Sequence, residues 1–350
     1  MKNKEITLSF RQINVGVIGA GWVGGIRANA CANSPLVSEL HIAETNTQRA
    51  TVVGEETSAS NVTNNWHDII NNDSIDAIII ASTPESKRFP IVLSALKANK
   101  SVLVEKPIAP SLSETDEAIT IANKKNLKLT VGYTRRFDPR YAYVNQSIKS
   151  GRIGDPVTCL LSRNITREIG TKIKGRSKLS PASMGGTHSI DFLLWCLQPR
   201  LPERVYSQQS GKLFSRESKT PDHQWVMVTM DDGSTITAGS GWVLPLGYPQ
   251  YSQSWIEIIG TEGSLTVDDT HKEIRLNSVK NGIEYPLSSM PGEQVDHVFA
   301  GAMEDETKHF LHAVCNNQPL LVTAEEARLV MEVTIAADIS AESGDVVSLI

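Results

Sequence analysis

The sequence predicts two domains of different class, a doubly wound α/β domain with a parallel sheet and an α+β domain with a large, open, mostly antiparallel sheet. Three observations predict this organisation. Strand and helix patterns alternate over residues 1–135, the strands there are continuously apolar, and later strands alternate apolar with polar residues. With 350 residues, the chain is long enough for both cores. The predicted boundaries are 1–135, including a polar extension over 1–12, and 136–350.

The first half repeats a strand followed by a helix. The predicted strands are Ile13–Ile18, Leu40–Glu44, Ile75–Ala81, Ser101–Val104 and Lys128–Gly132. The predicted helices are Ile26–Asn33, Thr47–Glu56, Phe89–Asn99 and Ser113–Lys125. Continuous apolarity, as in Ile75–Ala81, indicates strands buried on both faces between layers of helices.

The second half begins with a helix candidate, Tyr141–Lys149, and continues as successive strands separated by turn signals. The predicted strands are Val157–Ser162, Val205–Gly211, Gln224–Met230, Ser234–Val243, Ser254–Ile259 and Ser264–Val267. Residues 183–195 predict a loop that leads into a helix, with His188 opposite its apolar stripe. Two helices, Val298–Asn316 and Thr323–Ser343, close the chain.

Net charge, apolar runs and cysteine spacing argue against several classes of protein. A formal net charge of -5 provides no basic field for nucleic acid. The longest apolar run near the start is far too short to span a membrane, and no signal pattern precedes it, so we expect a cytoplasmic protein without a membrane partner. The four cysteines are scattered without a CxxC pair, which predicts reduced thiols and no metal site.

The strongest motif is Gly19-Ala20-Gly21-Trp22-Val23-Gly24, between the first strand and the first helix. In this context GxGxxG predicts a Rossmann dinucleotide-binding turn, in which the glycines allow a tight turn and close approach to a pyrophosphate. Trp22 and Val23 are included among the cofactor-binding residues. Glu44 follows Gly24 by 20 residues and predicts a ribose ligand, which favours NAD over NADP, although Arg49 could reach a 2′-phosphate. A structural βα turn is the alternative.

Two further strands end in polar residues and proline. Ser82, Thr83 and Pro84 follow one strand, and Glu105-Lys106-Pro107 follows the next. Ligands of doubly wound sheets bind outside the carboxyl ends of the strands, so these residues are predicted near the nicotinamide. An ammonium group there can polarise a substrate oxygen, which makes Lys106 the catalytic candidate. The alternative is a solvated lysine after an edge strand.

Together with Gly132–Asp138 and Gly260–Gly263, these motifs resemble the Gfo/Idh/MocA oxidoreductase family over nearly the whole chain. Ser162-Arg163-Asn164 and His188-Ser189-Ile190-Asp191 are most similar to the inositol dehydrogenase branch. The resemblance implies oxidation of a secondary alcohol of a sugar or cyclitol, or the reverse reduction, with a nicotinamide cofactor. It implies an often cis Lys106–Pro107 bond and contact of Lys106 with the reacting oxygen.

The resemblance also implies roles in the second domain. His188 would accept the substrate proton. Thr134 and Arg135 would bind substrate hydroxyls, with Asn164 and Asp191 as further substrate-binding candidates. Association through the open sheet face implies a homodimer or homotetramer.

One position departs from the family pattern. The family usually has an aspartate four residues before the histidine, where this chain has Met184. A thioether cannot orient an imidazole as a carboxylate does. Asp191 could substitute, Lys106 and His188 could act without a carboxylate, turnover could be lost, or the loop could be shifted in register. We favour the second explanation. The main hypothesis is therefore an NAD-dependent polyol dehydrogenase, and the alternative is a non-catalytic dinucleotide sensor.

Overall fold

The computed structural model describes residues 11–174, 177–214, 220–270, 274–280, 282–284, 294–295 and 298–349. These residues form two compact units. The first contains the described residues up to Gly132 and those of 294–324, and the second contains those of 133–293 and 325–350. Of the predicted extension over 1–12, all but residues 11 and 12 lie outside the described ranges.

The chain forms the following regular elements within those ranges. The strands are β1 Ile13–Ile18, β2 Val37–Ala43, β3 Asn61–Thr63, β4 Ala77–Ile80, β5 Ser101–Val104, β6 Leu129–Val131, β7 Pro156–Thr166, β8 Pro202–Ser210, β9 His223–Met230, β10 Thr235–Leu244, β11 Ser252–Gly260, β12 Ser264–Asp269, β13 Leu276–Ser278, β14 Gly282–Glu284, β15 Gln294–Val295, β16 Val298–Phe299 and β17 Val347–Ser348. The helices are α1 Trp22–Ala32, α2 Thr47–Glu56, α3 Trp66–Ile70, α4 Phe89–Lys97, α5 Leu112–Lys124, α6 Pro139–Lys149, α7 Arg167–Lys174, α8 Thr187–Leu197, α9 Ala302–Asn316 and α10 Ala324–Ser343.

The first unit contains a six-stranded parallel sheet in the order β3-β2-β1-β4-β5-β6. The order reverses beside β1, which pairs with both β2 and β4. In such sheets the ligand crevice lies outside the carboxyl ends of the strands at this reversal. Every residue of β4 and β5 is buried, as their continuous apolarity predicted.

A C-terminal segment completes the core of the first unit. Helix α9 packs against α1, and its Phe310, Leu311 and Cys315 join the apolar cluster that contains Ala28 and Cys31 of α1. The amphipathic pattern of this segment predicted a helix, which the structure contains. The pattern did not indicate which core the helix would join.

The second unit contains a mixed, mostly antiparallel sheet of seven strands in the order β12-β11-β7-β10-β9-β8-β17. Strands β7 and β10 are parallel neighbours, and the remaining pairs are antiparallel. Helix α8 packs against β7 and β10, and every residue of α8 except His188 is buried. The predicted fold class is confirmed. The one-sided apolar stripe expected for α8 is corrected, because this helix is buried almost all round.

All four cysteines are buried free thiols, as predicted. Across the described ranges, no helix combines the length and apolarity that crossing a bilayer requires.

Candidate active site

The glycine loop between β1 and α1 forms an open cradle. Gly19 adopts φ +88°, and a Cβ on Gly24 would lie 1.8 Å from the carbonyl oxygen of Gly19, so both positions require glycine. A Cβ on Gly21 would have open space around it. Among the described atoms outside the neighbouring residues, only Nη1 of Arg49, at 3.7 Å, would lie within 4 Å of it. The amides at the start of α1 therefore remain approachable for an anion.

Glu44 lies directly after β2, beside this loop. Its Oε2 accepts a hydrogen bond from the Ala20 amide and its Oε1 accepts one from the Asn46 amide, each at 2.8 Å. Oε2 is also 3.8 Å from Nη1 of Arg49. The carboxylate is thus fixed next to the glycine loop, and the nearby cation is directed at Glu44.

The end of β4 lies on another side of the glycine loop. A Cβ on Gly19 would lie 2.7 Å from the Cα of Ser82. The hydroxyl of Ser82 is buried and finds no hydrogen-bond partner within the described part of the chain. A buried hydroxyl without a partner is costly unless a ligand supplies one. Thr83 and Pro84 come next, and the peptide bond between them is cis.

These features fit a dinucleotide. The loop residues Gly19, Gly21 and Gly24, with Trp22 and Val23 in the first turn of α1, would hold a pyrophosphate. Glu44 would accept hydrogen bonds from a ribose, and Ser82 offers an unused hydroxyl.

Lys106 follows β5 in the same unit and is half-buried, and its bond to Pro107 is cis, as the resemblance implied. Buried Arg88 fixes this strand end. Its Nη1 donates to the carbonyl oxygens of Glu105 at 3.1 Å and Lys106 at 2.7 Å, while its Nε donates to that of Ser82 at 2.6 Å. Arg88 therefore ties the ends of β4 and β5 together, a role that the sequence did not reveal.

Arg27 of α1 supports the same strand end from the other side. Its fully buried guanidinium bonds Oε1 of Glu105 through Nη2 at 2.6 Å and through Nε at 3.0 Å. Nη2 also bonds Oε2 of Glu306 at 2.6 Å, and Nη1 bonds Thr307 at 3.1 Å. Burial alone would lower the pKa of Arg27. The attraction of Glu105 and Glu306 outweighs this effect of burial and raises that pKa. A buried ion network thus joins α1, the residue before Lys106, and α9.

In the second unit, His188 is the half-buried residue near the start of α8. The ring of Tyr133 lies edge-on to its imidazole, with centroids 5.8 Å apart. Tyr133 Oη shares a hydrogen bond of 2.8 Å with Thr187 Oγ1. Burial raises the pKa of Tyr133, with Asp191 acting in the same direction, so Tyr133 stays a neutral phenol. The imidazole therefore packs against a buried tyrosine that is itself fixed by a hydrogen bond.

Asp191, one turn beyond His188, is fully buried and bound to Arg136. Its Oδ1 accepts from Nη2 at 2.6 Å and its Oδ2 from Nε at 3.1 Å. Arg136 Nη1 also bonds Oε2 of Glu326 at 2.7 Å. Arg136 thus occupies both oxygens of Asp191, whose role as a substrate ligand stays a prediction. Asp138, two residues after Arg136, pairs with Arg140.

The other predicted substrate ligands are half-buried in the second unit. Thr134 and Arg135 lie in a single helical turn, Thr134–Phe137, and Arg135 Nη1 is 3.5 Å from Ser189 Oγ. Asn164 lies in β7. Its Oδ1 is buried without a hydrogen-bond partner from the described residues, while its Nδ2 donates to Ser162 Oγ at 3.4 Å.

Met184 belongs to a turn of π-helix, Ala182–Gly186, immediately before α8. Its side chain packs in an apolar cluster with Ile165, Ile173 and Trp242. The methionine therefore serves as a core residue at the position where the family usually has an aspartate.

The structure brings the predicted residues together in two groups. One comprises the glycine loop, Glu44, the Ser82 segment and the Glu105-Lys106 segment, and belongs to the first unit. The other comprises His188, Asp191, Thr134, Arg135 and Asn164, and belongs to the second. Sequence reasoning missed Arg27 and Arg88. A charged residue on the otherwise apolar α1 was the available signal for Arg27, and Arg88 had none.

Comparisons with known proteins identify both parts of the chain. Residues 13–133 match a family model described as an oxidoreductase family with an NAD-binding Rossmann fold, and residues 141–266 match the GFO/IDH/MocA C-terminal domain. Inositol 2-dehydrogenase of Rubrobacter xylanophilus is 30% identical over 259 residues, which are 73% of this chain and 71% of that protein. The NAD(+)-dependent scyllo-inositol 2-dehydrogenase of Bacillus subtilis is 26% identical over 347 residues, 97% of this chain and 96% of the relative.

Among solved structures, scyllo-inositol dehydrogenase of Lactobacillus casei, with bound NAD(H) and scyllo-inositol, has the same fold. The TM-score is 0.83 at 21% identity, and the match covers 97% of this chain and 99% of the other.

Proposed function

Because the chain belongs to the Gfo/Idh/MocA oxidoreductase family, we propose that it oxidises a secondary alcohol of a sugar or cyclitol with NAD. The observation that carries this proposal is Lys106, held after β5 in the unit whose glycine loop fits a dinucleotide. Relatives named as inositol dehydrogenases support a cyclitol substrate.

The proposed chemistry divides between two side chains. The ammonium of Lys106 donates a hydrogen bond to the reacting oxygen, which stabilises negative charge as it develops there. His188 accepts the hydroxyl proton and later releases it to solvent. When bound, the nicotinamide accepts the hydride that leaves the same carbon. Thr134, Arg135 and Asn164 are the proposed ligands of the remaining substrate groups.

We propose that His188 accepts the proton without help from residue 184 or from Asp191. Met184 occupies the usual position of that partner and packs in an apolar cluster. Asp191 gives both of its oxygens to Arg136. A histidine can accept a proton without either of these groups. We expect activity to rise towards alkaline pH, where the alcohol proton is lost more easily.

The preference for NAD rests on Glu44. Its carboxylate is fixed at the glycine loop, where it would accept hydrogen bonds from a ribose and repel a 2′-phosphate. Arg49 is paired with this carboxylate at 3.8 Å, which competes with any contact between Arg49 and a phosphate.

We propose that a second copy of the chain covers the open sheet face of the second unit. Strand register places Trp225, Gly239, Ser162 and Trp255 in one row across β9, β10, β7 and β11. The neighbouring row contains Met227, and exposures of 40% for Trp225, 51% for Met227 and 38% for Trp255 make this face unusually apolar. Sedimentation of the wild type and of Met227→Lys tests this, and a monomeric wild type would contradict it.

A substrate screen tests the function. The purified protein is incubated with inositols and aldoses, and the absorbance of reduced cofactor is followed with NAD and with NADP. We expect turnover with NAD on at least one polyol. Tight binding of NADH with no turnover on any polyol would instead support the non-catalytic sensor.

A further inference from the structure

Arg163 of β7 reaches the turn that leads to His188. Strand register places Arg163 beside Ser240 of β10. The turn Ala182–Gly186 lies over this position, since a Cβ on Gly185 would be 2.7 Å from Ser240 Oγ. The same Cβ would be 3.7 Å from Nη1 of Arg163. The guanidinium therefore lies against the chain just before His188.

Arg135 reaches the chain just after His188. Its Nη1 is 3.5 Å from Ser189 Oγ, and its guanidinium lies over the ring of Tyr141 at 5.3 Å. Burial lowers the pKa of Arg135, and the charge of Arg163 acts in the same direction, against the attraction of Asp269 and Asp191. Two cationic groups thus lie near the chain on either side of the proposed proton acceptor.

Among the residues that the structure describes, neither guanidinium group has a carboxylate partner. In the described part of the second unit, Arg136 pairs with Asp191 and Glu326, and Arg140 pairs with Asp138 and Asp269. No ion pair of Arg135 or Arg163 is formed with any described residue, and each is only half-exposed. The fork of donors on an arginine matches an oxyanion, and a partly buried guanidinium without a counter-charge is costly.

A second observation concerns the segment over residues 163–178, which contains six basic residues and one acid, Glu168. The basic residues are Arg163, Arg167, Lys172, Lys174, Arg176 and Lys178. Helix α7 of this segment packs its Ile169 and Ile173 on the cluster that contains Met184. The helix that carries Arg167 and Lys172 therefore adjoins the Met184 cluster, although the chain as a whole is acidic. Such a local field attracts anionic ligands.

We propose that the substrate carries an anionic group, a carboxylate or a phosphate on the sugar or cyclitol, which Arg135 and Arg163 bind. The proposal rests on the function proposed above and names the class of substrate. Replacing the usual aspartate by Met184 also removes a negative charge that would repel such a group.

Calorimetric titration of the NADH-saturated protein tests the proposal. The ligands are glucose, galactose and mannose, each with its uronate and its 6-phosphate. We expect at least one anionic member to bind about 10-fold to 100-fold more tightly than its neutral parent, as charge-assisted hydrogen bonds predict. The uronate and phosphate arms distinguish the two anions. Equal or tighter binding of the neutral sugar in all three sets would overturn the proposal.

Substitutions test whether the two arginines are responsible. Arg163→Gln and Arg135→Gln are each expected to lower the ratio of anionic to neutral affinity about 10-fold or more, and Arg163→Lys should recover part of it. Arg152→Gln is the control, because Arg152 bonds Tyr143 away from these residues. An unchanged ratio in both glutamine variants overturns the proposal.

Failure of this inference differs from failure of the proposed function. Oxidation of neutral polyols, with no preference for anions, would remove the inference and keep the function. Anion binding through the two arginines, with no oxidation of any polyol, would keep the inference and remove the function.

Discussion

Each unit contains one buried arginine held between two carboxylates, and in each case one carboxylate comes from the C-terminal part of the chain. In the first unit Arg27 binds Glu105 and Glu306. In the second, Arg136 binds Asp191 and Glu326. The two networks have opposite effects on the proposed catalytic residues.

The network of Arg27 fixes the strand end that carries the proposed catalytic lysine, whereas that of Arg136 occupies the carboxylate nearest in sequence to the proposed proton acceptor. Glu105 immediately precedes Lys106, so fixing Glu105 also fixes the strand end that presents the lysine. Asp191 follows His188 by one helical turn, and its engagement with Arg136 leaves the histidine without this carboxylate. The same buried motif therefore organises the site in one unit and restricts it in the other.

The largest expected effect tests the first half of this comparison. Lys106→Met should lower kcat about 1000-fold or more, because it removes the donor to the reacting oxygen, while the dissociation constant of NADH stays within about threefold. Steady-state kinetics and fluorescence titration of NADH measure the two quantities. Near-wild-type turnover would exclude Lys106 from the chemistry.

The same strand supplies a matched control. Lys100 precedes β5, and its buried ammonium donates to the carbonyl oxygens of Asn72 at 2.7 Å and Ile75 at 2.8 Å. Lys100→Met should lower stability because those carbonyls lose their donor, but kcat of the folded protein should change by less than about threefold. A lysine at either end of one strand thus separates a chemical role from a structural one.

The next effect compares the two buried arginines directly. Arg27→Met and Arg136→Met should each lower the free energy of unfolding by about 3–5 kcal/mol, because each leaves carboxylates buried without their partner. Urea unfolding measures this loss. Only Arg27→Met should also weaken NADH binding, since Arg27 lies on the helix that follows the glycine loop.

Conservative variants sharpen this test. Lysine retains the charge but cannot bond both carboxylates in one plane, so Arg27→Lys should recover part of the stability and of the NADH affinity. A loss of stability below about 1 kcal/mol in Arg27→Met would show that the network contributes no more than an exposed ion pair.

The first unit was largely readable from the sequence because its chemistry depends on local backbone geometry. The glycine spacing and the positions of Glu44 after β2 and Lys106 after β5 follow from the order of elements in a doubly wound sheet. Membership of the family and the fold class are confirmed. Arg27 was missed because its partners lie 78 and 279 residues away in sequence.

The second unit was less readable because its polar side chains choose partners through tertiary packing. The strand pattern predicted the antiparallel sheet, but not the parallel pairing of β7 with β10. Asp191, one turn after His188, suggested a carboxylate partner for the histidine. Asp191 instead binds Arg136, which lies 55 positions earlier in the sequence. Helix α7, which lies next to the Met184 cluster, has no distinct apolar run and was not predicted.

A smaller effect concerns cofactor choice. Glu44→Gln keeps an acceptor beside the glycine loop but removes the charge, so the ratio of kcat/KM for NAD to that for NADP should fall about 10-fold or more. If Arg49 binds the 2′-phosphate in the Glu44→Gln variant, the double variant Glu44→Gln, Arg49→Ala should have a lower kcat/KM for NADP than Glu44→Gln alone. An unchanged ratio in Glu44→Gln would show that other residues select the cofactor.

The smallest expected effect concerns how α9 is attached to the first unit. Nε2 of His309 accepts a hydrogen bond of 2.9 Å from the backbone amide of Leu321. Burial lowers the pKa of His309, and the charge of His312 acts in the same direction. The imidazole of His309 therefore binds a proton more tightly in the unfolded chain than in the folded one. The contribution of neutral His309 to folding stability is present above about pH 6.5 and is lost as the pH falls through the lower pKa of the folded state. Protonation also removes the acceptor, at a cost of about 1 kcal/mol. Hydrogen exchange of α9 should thus speed up between about pH 7 and pH 5 in the wild type relative to His309→Gln. Equal pH dependence in both proteins would place the pH-sensitive contact elsewhere.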